Sequence, residues 1–257
     1  MQMNEEAPVP TADRPRQLAG IRAVVWTADG RPTADLDYGT RLVEGLQSLG
    51  AEVRREDLTA PSTAPETLGA LHVLTGGSTS VNDLSTWMPS GMATLERLLD
   101  SAREEELHVL GICLGSQMIA HCIAGSSVGS GVRMEAGITD LQWRDGKGPQ
   151  VLPSFHYERI EEGPLRAAGV QIEAWNSRVP VLAFTMGPRI GGIQLHPEFD
   201  AADLQELLAM NRRIIEDHGA SMSDVARRLE ELQTRWDPTV ALAMTISRLL
   251  PELRPGS

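Results

Sequence analysis

The stretch Val109-Leu110-Gly111-Ile112-Cys113-Leu114-Gly115-Ser116-Gln117-Met118-Ile119-Ala120 constrains this chain more than any other. An apolar run of strand character passes into an apolar helix through a cysteine set between two glycines. A side chain at such a turn has forced backbone dihedrals, and small neighbours let it stand clear of the sheet. The helix that follows points its first free N–H groups and its positive dipole end at the sulfur, which favours thiolate over thiol. A lone cysteine is otherwise a buried structural residue. Glycine on both sides points instead to a nucleophile at Cys113.

Around this junction the pattern alternates. Ile21–Trp26 reads as a first strand, residues 36–49 as a helix closed by Gly50, and Ala51–Arg54 as an extended piece. Leu71–Leu74 reads as a strand ending in Thr75-Gly76-Gly77-Ser78, where two glycines let backbone N–H groups approach a ligand. A helix over 95–103 and a strand over 107–112 then deliver Cys113. This alternation predicts an α/β fold, a mostly parallel open sheet with helices on both faces. In such sheets the site lies at the carboxyl ends of the strands, where Gly76, Gly77 and Cys113 all fall.

From 126 to 192 the pattern shifts to shorter β-like pieces at 138–143, 170–174, 179–184 and 190–194, which either extend the sheet or form an antiparallel flap. Ser154-Phe155-His156-Tyr157-Glu158 follows Pro153 as a polar cluster. His156 there is either a satisfied loop residue or a substrate contact. A strand then leads into Ile193-Gln194-Leu195-His196-Pro197-Glu198. A cysteine nucleophile needs a base that takes and returns its proton, and that base needs an acceptor that fixes its tautomer. His196 and Glu198 have the types and order for those roles. After Phe199 the chain reads as helical, with stripes at Leu204, Leu207, Leu208, Ile214 and Ile215, then at Val225, Leu229, Leu232 and Trp236. Asp237-Pro238 is a good start for a last helix. The expected organisation is a flexible leader over 1–19, a catalytic domain over 20–199 and a helical extension over 200–257 packed on the core. That extension leaves a homodimer open.

Composition excludes more than it assigns. A formal net charge of −12 over 257 residues argues against nucleic-acid or anionic-membrane binding. No apolar run reaches the length of a membrane span, and the N-terminus carries no signal pattern. The two cysteines, Cys113 and Cys122, fall on one turn and helix where a disulfide does not fit, so a reduced, cytoplasmic setting is expected. No cluster at zinc-like spacing occurs, and neither a metal nor another cofactor is expected.

Three motifs together, Thr75-Gly76-Gly77-Ser78, Gly111-Ile112-Cys113-Leu114-Gly115-Ser116-Gln117 and Gln194-Leu195-His196-Pro197-Glu198, resemble a class I glutamine amidotransferase domain. The stand-alone branch similar to GMP synthase is the nearest in pattern. The resemblance spans about Ile21 to Phe199 and implies a flavodoxin-like fold. It implies Cys113 as nucleophile, His196 as base and then acid, and Glu198 as orienter. The Gly77 and Leu114 N–H groups would form an oxyanion hole and Gln117 would hold glutamine, with Gly76, His156 and Tyr157 further candidates for substrate contact. Thiolate attack on the side-chain amide would release ammonia, and water would free glutamate from a thioester.

Two departures stand out. The family's Trp-His-Gly-Asp loop is here Phe155-His156-Tyr157-Glu158, and Ser78 stands where proline is common. Nothing in the chain resembles the Ser-Gly-Gly-x-Asp-Ser motif of an ATP-pyrophosphatase domain, so an ammonia-accepting synthetase would act in trans. Competing readings are a stand-alone hydrolase or transferase on γ-glutamyl or other amides, and a non-catalytic binding module. A cysteine-elbow α/β-hydrolase fits less well, because that fold usually places the acid between nucleophile and histidine.

Overall fold

The computed structural model describes residues 17–28, 37–60, 69–125, 128–147, 150–217, 229 and 237–254. Most of the expected leader therefore lies outside the described residues, as do Val225, Leu232 and Trp236 of the second C-terminal stripe. The first half follows the alternation in the sequence: β1 (Arg22–Thr27), α1 (Tyr38–Ser48), β2 (Glu52–Asp57), β3 (Leu71–Leu74), α2 (Met88–Arg103), β4 (His108–Ile112) and α3 (Leu114–Ala124). Helix α2 begins earlier than its apolar spacing suggests, because Pro89 near its start is compatible with a first helical turn. Asp37 caps α1 by accepting from the Gly39 and Thr40 N–H groups.

The second half resolves the ambiguity left by the sequence. It contains β5 (Val128–Asp140), β6 (Gln142–Trp143), β7 (Val151–Ile160), α4 (Glu162–Ala167), β8 (Gln171–Trp175), β9 (Ala183–Met186) and β10 (Ile190–Ile193). One sheet of eight strands runs in the order β2-β1-β3-β4-β10-β9-β8-β6, and β5 pairs with β7 in a separate two-stranded ribbon. Strands from β2 to β10 are mutually parallel, whereas β9, β8 and β6 continue the sheet antiparallel. Both alternatives for 126–192 are therefore realised, as a sheet extension and as a flap. Ser154 to Glu158, expected after Pro153 as a polar loop cluster, instead lies within strand β7. A two-stranded ribbon tolerates Pro153 because the missing N–H sits at an edge.

Alternate residues of β1 point to opposite cores. Ala23 and Val25 join Leu42 and Leu46 of α1 with Ala241, Leu242 and Leu249 of α7 (Pro238–Leu249). Val24 and Trp26 join Leu95, Leu98, Met118 and Ile119 of α2 and α3 on the other face. Period-two burial of this kind is what a sheet covered on both sides requires. The fold is the α/β arrangement expected. After Phe199 come α5 (Ala201–Met210) and α6 (Arg212–Asp217), then α7. Helix α7 seats against α1 and β10, where Leu242 fills the space over Gly45 and Leu249 that over Gly191. Helix α5 instead covers the ribbon, through Leu204 and Leu208 against Met134 and Ile138.

The glycines about the cysteine have a role other than clearing its side chain. A Cβ on Gly111 would lie 2.4 Å from the Gly115 carbonyl carbon, and one on Gly115 would lie 2.6 Å from the Leu74 carbonyl oxygen. Both obstacles are backbone, so α3 starts hard against β3 and β4 only because neither residue has a side chain. Gly111→Ala should destabilise the fold by about 3 kcal/mol, measured by urea unfolding. A loss within error of zero would show that the helix start can shift freely.

Candidate active site

Cys113 has φ 50° and ψ −107°, a conformation that a residue with a Cβ adopts only under constraint. The constraint is visible in the bonds around it. The Cys113 N–H donates to the Ile193 carbonyl at 2.8 Å, and its own carbonyl accepts from the Gln117 N–H and the Ser116 hydroxyl. Leu114 is the first residue of α3, so the sulfur stands at the helix's positive end. Beside it, the Thr75 hydroxyl accepts from the Ala28 N–H and donates to the Gly76 carbonyl, while the Thr75 carbonyl accepts from the Gly115 N–H. One residue thus ties the turn after β3 to the elbow after β4. Among the described residues, the Gly77 and Leu114 N–H groups have no acceptor within the protein. A Cβ on Gly77 would meet the Leu114 side chain at 2.8 Å, so the two residues adjoin.

His196 follows the end of β10 and is held by its N–H, which donates to the Pro153 carbonyl at 2.8 Å. Its ring stacks on Phe199 with centroids 4.3 Å apart and 3° between planes. Gly76 lies behind it: a Cβ there would be 2.8 Å from the imidazole Cε1. The Nδ1–H donates to Glu198 Oε1 at 2.8 Å, and both side chains are buried. Burial opposes a charge on the ring, but the Glu198 carboxylate and the hydrogen-bonded Cys113 sulfur outweigh it and push the pKa up to about 10. Such an imidazole holds a proton at neutral pH and is ready to give it to a leaving amine.

Cys113 opens into a cavity of about 400 Å³. Its lining holds a polar group, Ser80, Gln117, His156 and Glu158, and a mostly apolar one, Tyr38, Phe155, Leu207, Met210 and Ile214, with Asn211 beside the last two. Ser80 donates to Glu158 Oε1 at 2.6 Å, and Gln117 Nε2 donates to the Glu158 carbonyl and to Gln194 Oε1. The His156 Nδ1–H donates to the Glu158 carbonyl at 3.0 Å. Burial holds His156 neutral, its pKa near 4, with nearby His196 acting the same way.

A strained cysteine, a histidine tied to a buried glutamate and two adjacent free N–H groups form a constellation for attack on a carbonyl. A family model for class-I glutamine amidotransferases matches residues 34–212. The chain belongs to this family. GMP synthase [glutamine-hydrolyzing] from Mycobacterium tuberculosis is 31% identical over 178 residues, which are 65% of this chain and 32% of that one. The GMP synthase of Corynebacterium glutamicum (strain R) is 29% identical over 182 residues, again 65% of this chain and 32% of the relative. This chain therefore matches only about a third of the length of those relatives. A glutamine amidotransferase structure from Thermotoga maritima superposes with a TM-score of 0.68 at 19% identity, covering 89% of this chain and 98% of that one. That likeness speaks to the fold.

Of the residues singled out from the sequence of this amidotransferase, Leu114, His196 and Glu198 are not among those lining the cavity, and the others fall at or beside it. Gly77, Cys113, Gln117, His156 and Tyr157 line it, while Gly76 backs the His196 ring. Sequence reasoning passed over Tyr38, Ser80 and the Glu158 side chain as site residues, and it left the C-terminal helices as core packing. One signal was available. The chain has only two Tyr and three Phe, and Tyr38, Tyr157, Phe155 and Phe199 gather here. Among the described residues no group of His, Cys, Asp or Glu is arranged to hold a metal ion, and no helix is long and apolar enough to cross a membrane.

Proposed function

We propose that the protein hydrolyses the side-chain amide of glutamine and supplies the ammonia to a separate acceptor-activating synthetase. What supports this reading is the buried His196–Glu198 hydrogen bond together with Cys113 opening into a cavity whose polar residues suit an amino acid. The Cys113 thiolate attacks the amide carbon, and the oxygen gathers charge toward the Gly77 and Leu114 N–H groups. The C–N bond breaks as the His196 imidazolium gives its proton to the leaving nitrogen. Water, with His196 now the base, cleaves the thioester and releases glutamate. Glu198 holds the imidazole in the tautomer both steps need.

Within the polar group, Glu158 supplies the one carboxylate among the described lining residues, placed by Ser80 to pair with the substrate's α-ammonium. The Ser78 and Thr79 hydroxyls, contiguous with Ser80, are the partners at hand for the α-carboxylate, and Gln117 bridges this group to Cys113. The synthetase in trans is inferred from the relatives, GMP synthases whose chains are about three times the matched length.

The test is glutamate release from glutamine, with asparagine as rival. Glutamine should be favoured by at least about tenfold in kcat/KM, since the shorter amide cannot reach Cys113 and Glu158 together. Glu158→Gln should raise KM for glutamine by about a hundredfold with a smaller change in kcat. Equal use of asparagine, or a KM untouched by the substitution, would overturn this placement of the substrate.

A further inference from the structure

The cavity has an apolar wall that adjoins His196, the residue that gives the leaving group its proton. Tyr38 lies beside His196, ring centroids 5.8 Å apart, and packs with Phe155 against Phe199 and Leu207. Met210 and Ile214 carry this wall outward and are 43% and 48% exposed, although both line the same cavity as Cys113. Apolar side chains of this size left open at the mouth of a reactive site are unusual for a surface that meets only water. Ammonia, the leaving group of glutamine, has nothing to place there. No Lys or Arg occurs among the described residues lining the cavity, so a second anionic group is not expected beside this wall.

Resting on the reading of the triad and of Glu158 given above, we propose that the wall is a leaving-group subsite. The protein then also accepts γ-glutamyl amides whose nitrogen carries an apolar aryl or alkyl substituent. The chemistry is unchanged and balances: the Cys113 sulfur–carbon bond forms, the carbon–nitrogen bond breaks, and the His196 proton leaves on the substituted amine. Water then adds to the thioester, giving glutamate and the free thiol–imidazole pair. The substituent lies along Tyr38 and Leu207 and reaches Met210 and Ile214, with no oxidant, metal or second substrate required.

The probes are γ-glutamylbenzylamide and γ-glutamylmethylamide, assayed beside glutamine for glutamate release by the full chain. Benzylamine is the weaker base and so the better leaving group of the two; the Met210→Ser/Ile214→Ser double variant, in which that difference persists, isolates the contribution of the wall. The benzylamide should exceed the methylamide by at least about tenfold in kcat/KM. In the double variant, the benzylamide-to-methylamide ratio should fall toward what the difference in leaving group alone gives. Protection of Cys113 from iodoacetamide, read by mass spectrometry, tests binding without turnover. The benzylamide should protect at lower concentration than the methylamide. Release from glutamine with equal or no use of the two amides would overturn the subsite and leave the glutaminase standing. Absence of both release and protection with all three compounds would overturn both.

Discussion

Cys113→Ala should lower glutamate release by about four orders of magnitude, to the level that binding and backbone donors alone provide. Cys113→Gly should be equally inactive and yet more stable than the parent protein by about 1 kcal/mol. The reason is local. At φ 50° and ψ −107° a side chain is crowded against its own backbone, and glycine is not. The Ile193 and Gln117 hydrogen bonds that hold this conformation involve backbone only and survive either substitution. Urea unfolding of the three proteins measures the strain, and a glutamate assay measures the chemistry. Greater stability with lost activity is the pattern of a site that stores strain to present its nucleophile. A glycine variant less stable than the parent would mean that contacts of the sulfur, such as its hydrogen bond to the Phe155 carbonyl, outweigh the crowding. The elbow would then be held by those contacts rather than against its own preference.

Much of this was legible in the sequence because the chemistry is concentrated at strand ends. The passage from β4 through Cys113 into α3 is contiguous, so its composition alone indicates the turn. His196 and Glu198 sit two residues apart with a proline between them, which also makes their contact a local matter. What was not legible depends on long-range placement. Ser80 and Glu158 meet only because the ribbon of β5 and β7 folds over the turn after β3. Leu207, Met210 and Ile214 have helical spacing that serves equally for core packing, and only the position of α5 over the ribbon turns part of that stripe toward the cavity. Arg41 of α1 helps to fix that position, bonding to the buried Asp203 carboxylate near the start of α5. A single side chain 162 residues away in sequence is invisible to any pattern of periodicity.

Glu198→Gln should reduce kcat by about 10⁴ while leaving the fold intact. The substituted amide is the same shape and can still hydrogen-bond to His196 Nδ1, and the Phe199 stack still holds the ring. An amide can turn its NH₂ toward Nδ1, however, which places the imidazole proton on the side facing Cys113 and disables the base. The charge that supported the imidazolium is also gone. The second consequence appears in stability. Burial disfavours the charged ring, yet Glu198 and Cys113 raise its pKa to about 10, above the ordinary value of 6.5. A group whose pKa is raised on folding contributes stability that is complete below the unfolded value and is lost as the pH climbs through the folded one. The parent protein should therefore lose stability between about pH 6.5 and 10. In Glu198→Gln the largest favourable influence on the charge is removed while burial remains, so this alkaline decline should flatten. Urea titrations at intervals across that range read the slope directly. Parallel curves for the two proteins would show that Glu198 does not support the charge on His196, and the fall in kcat would then belong to the tautomer alone.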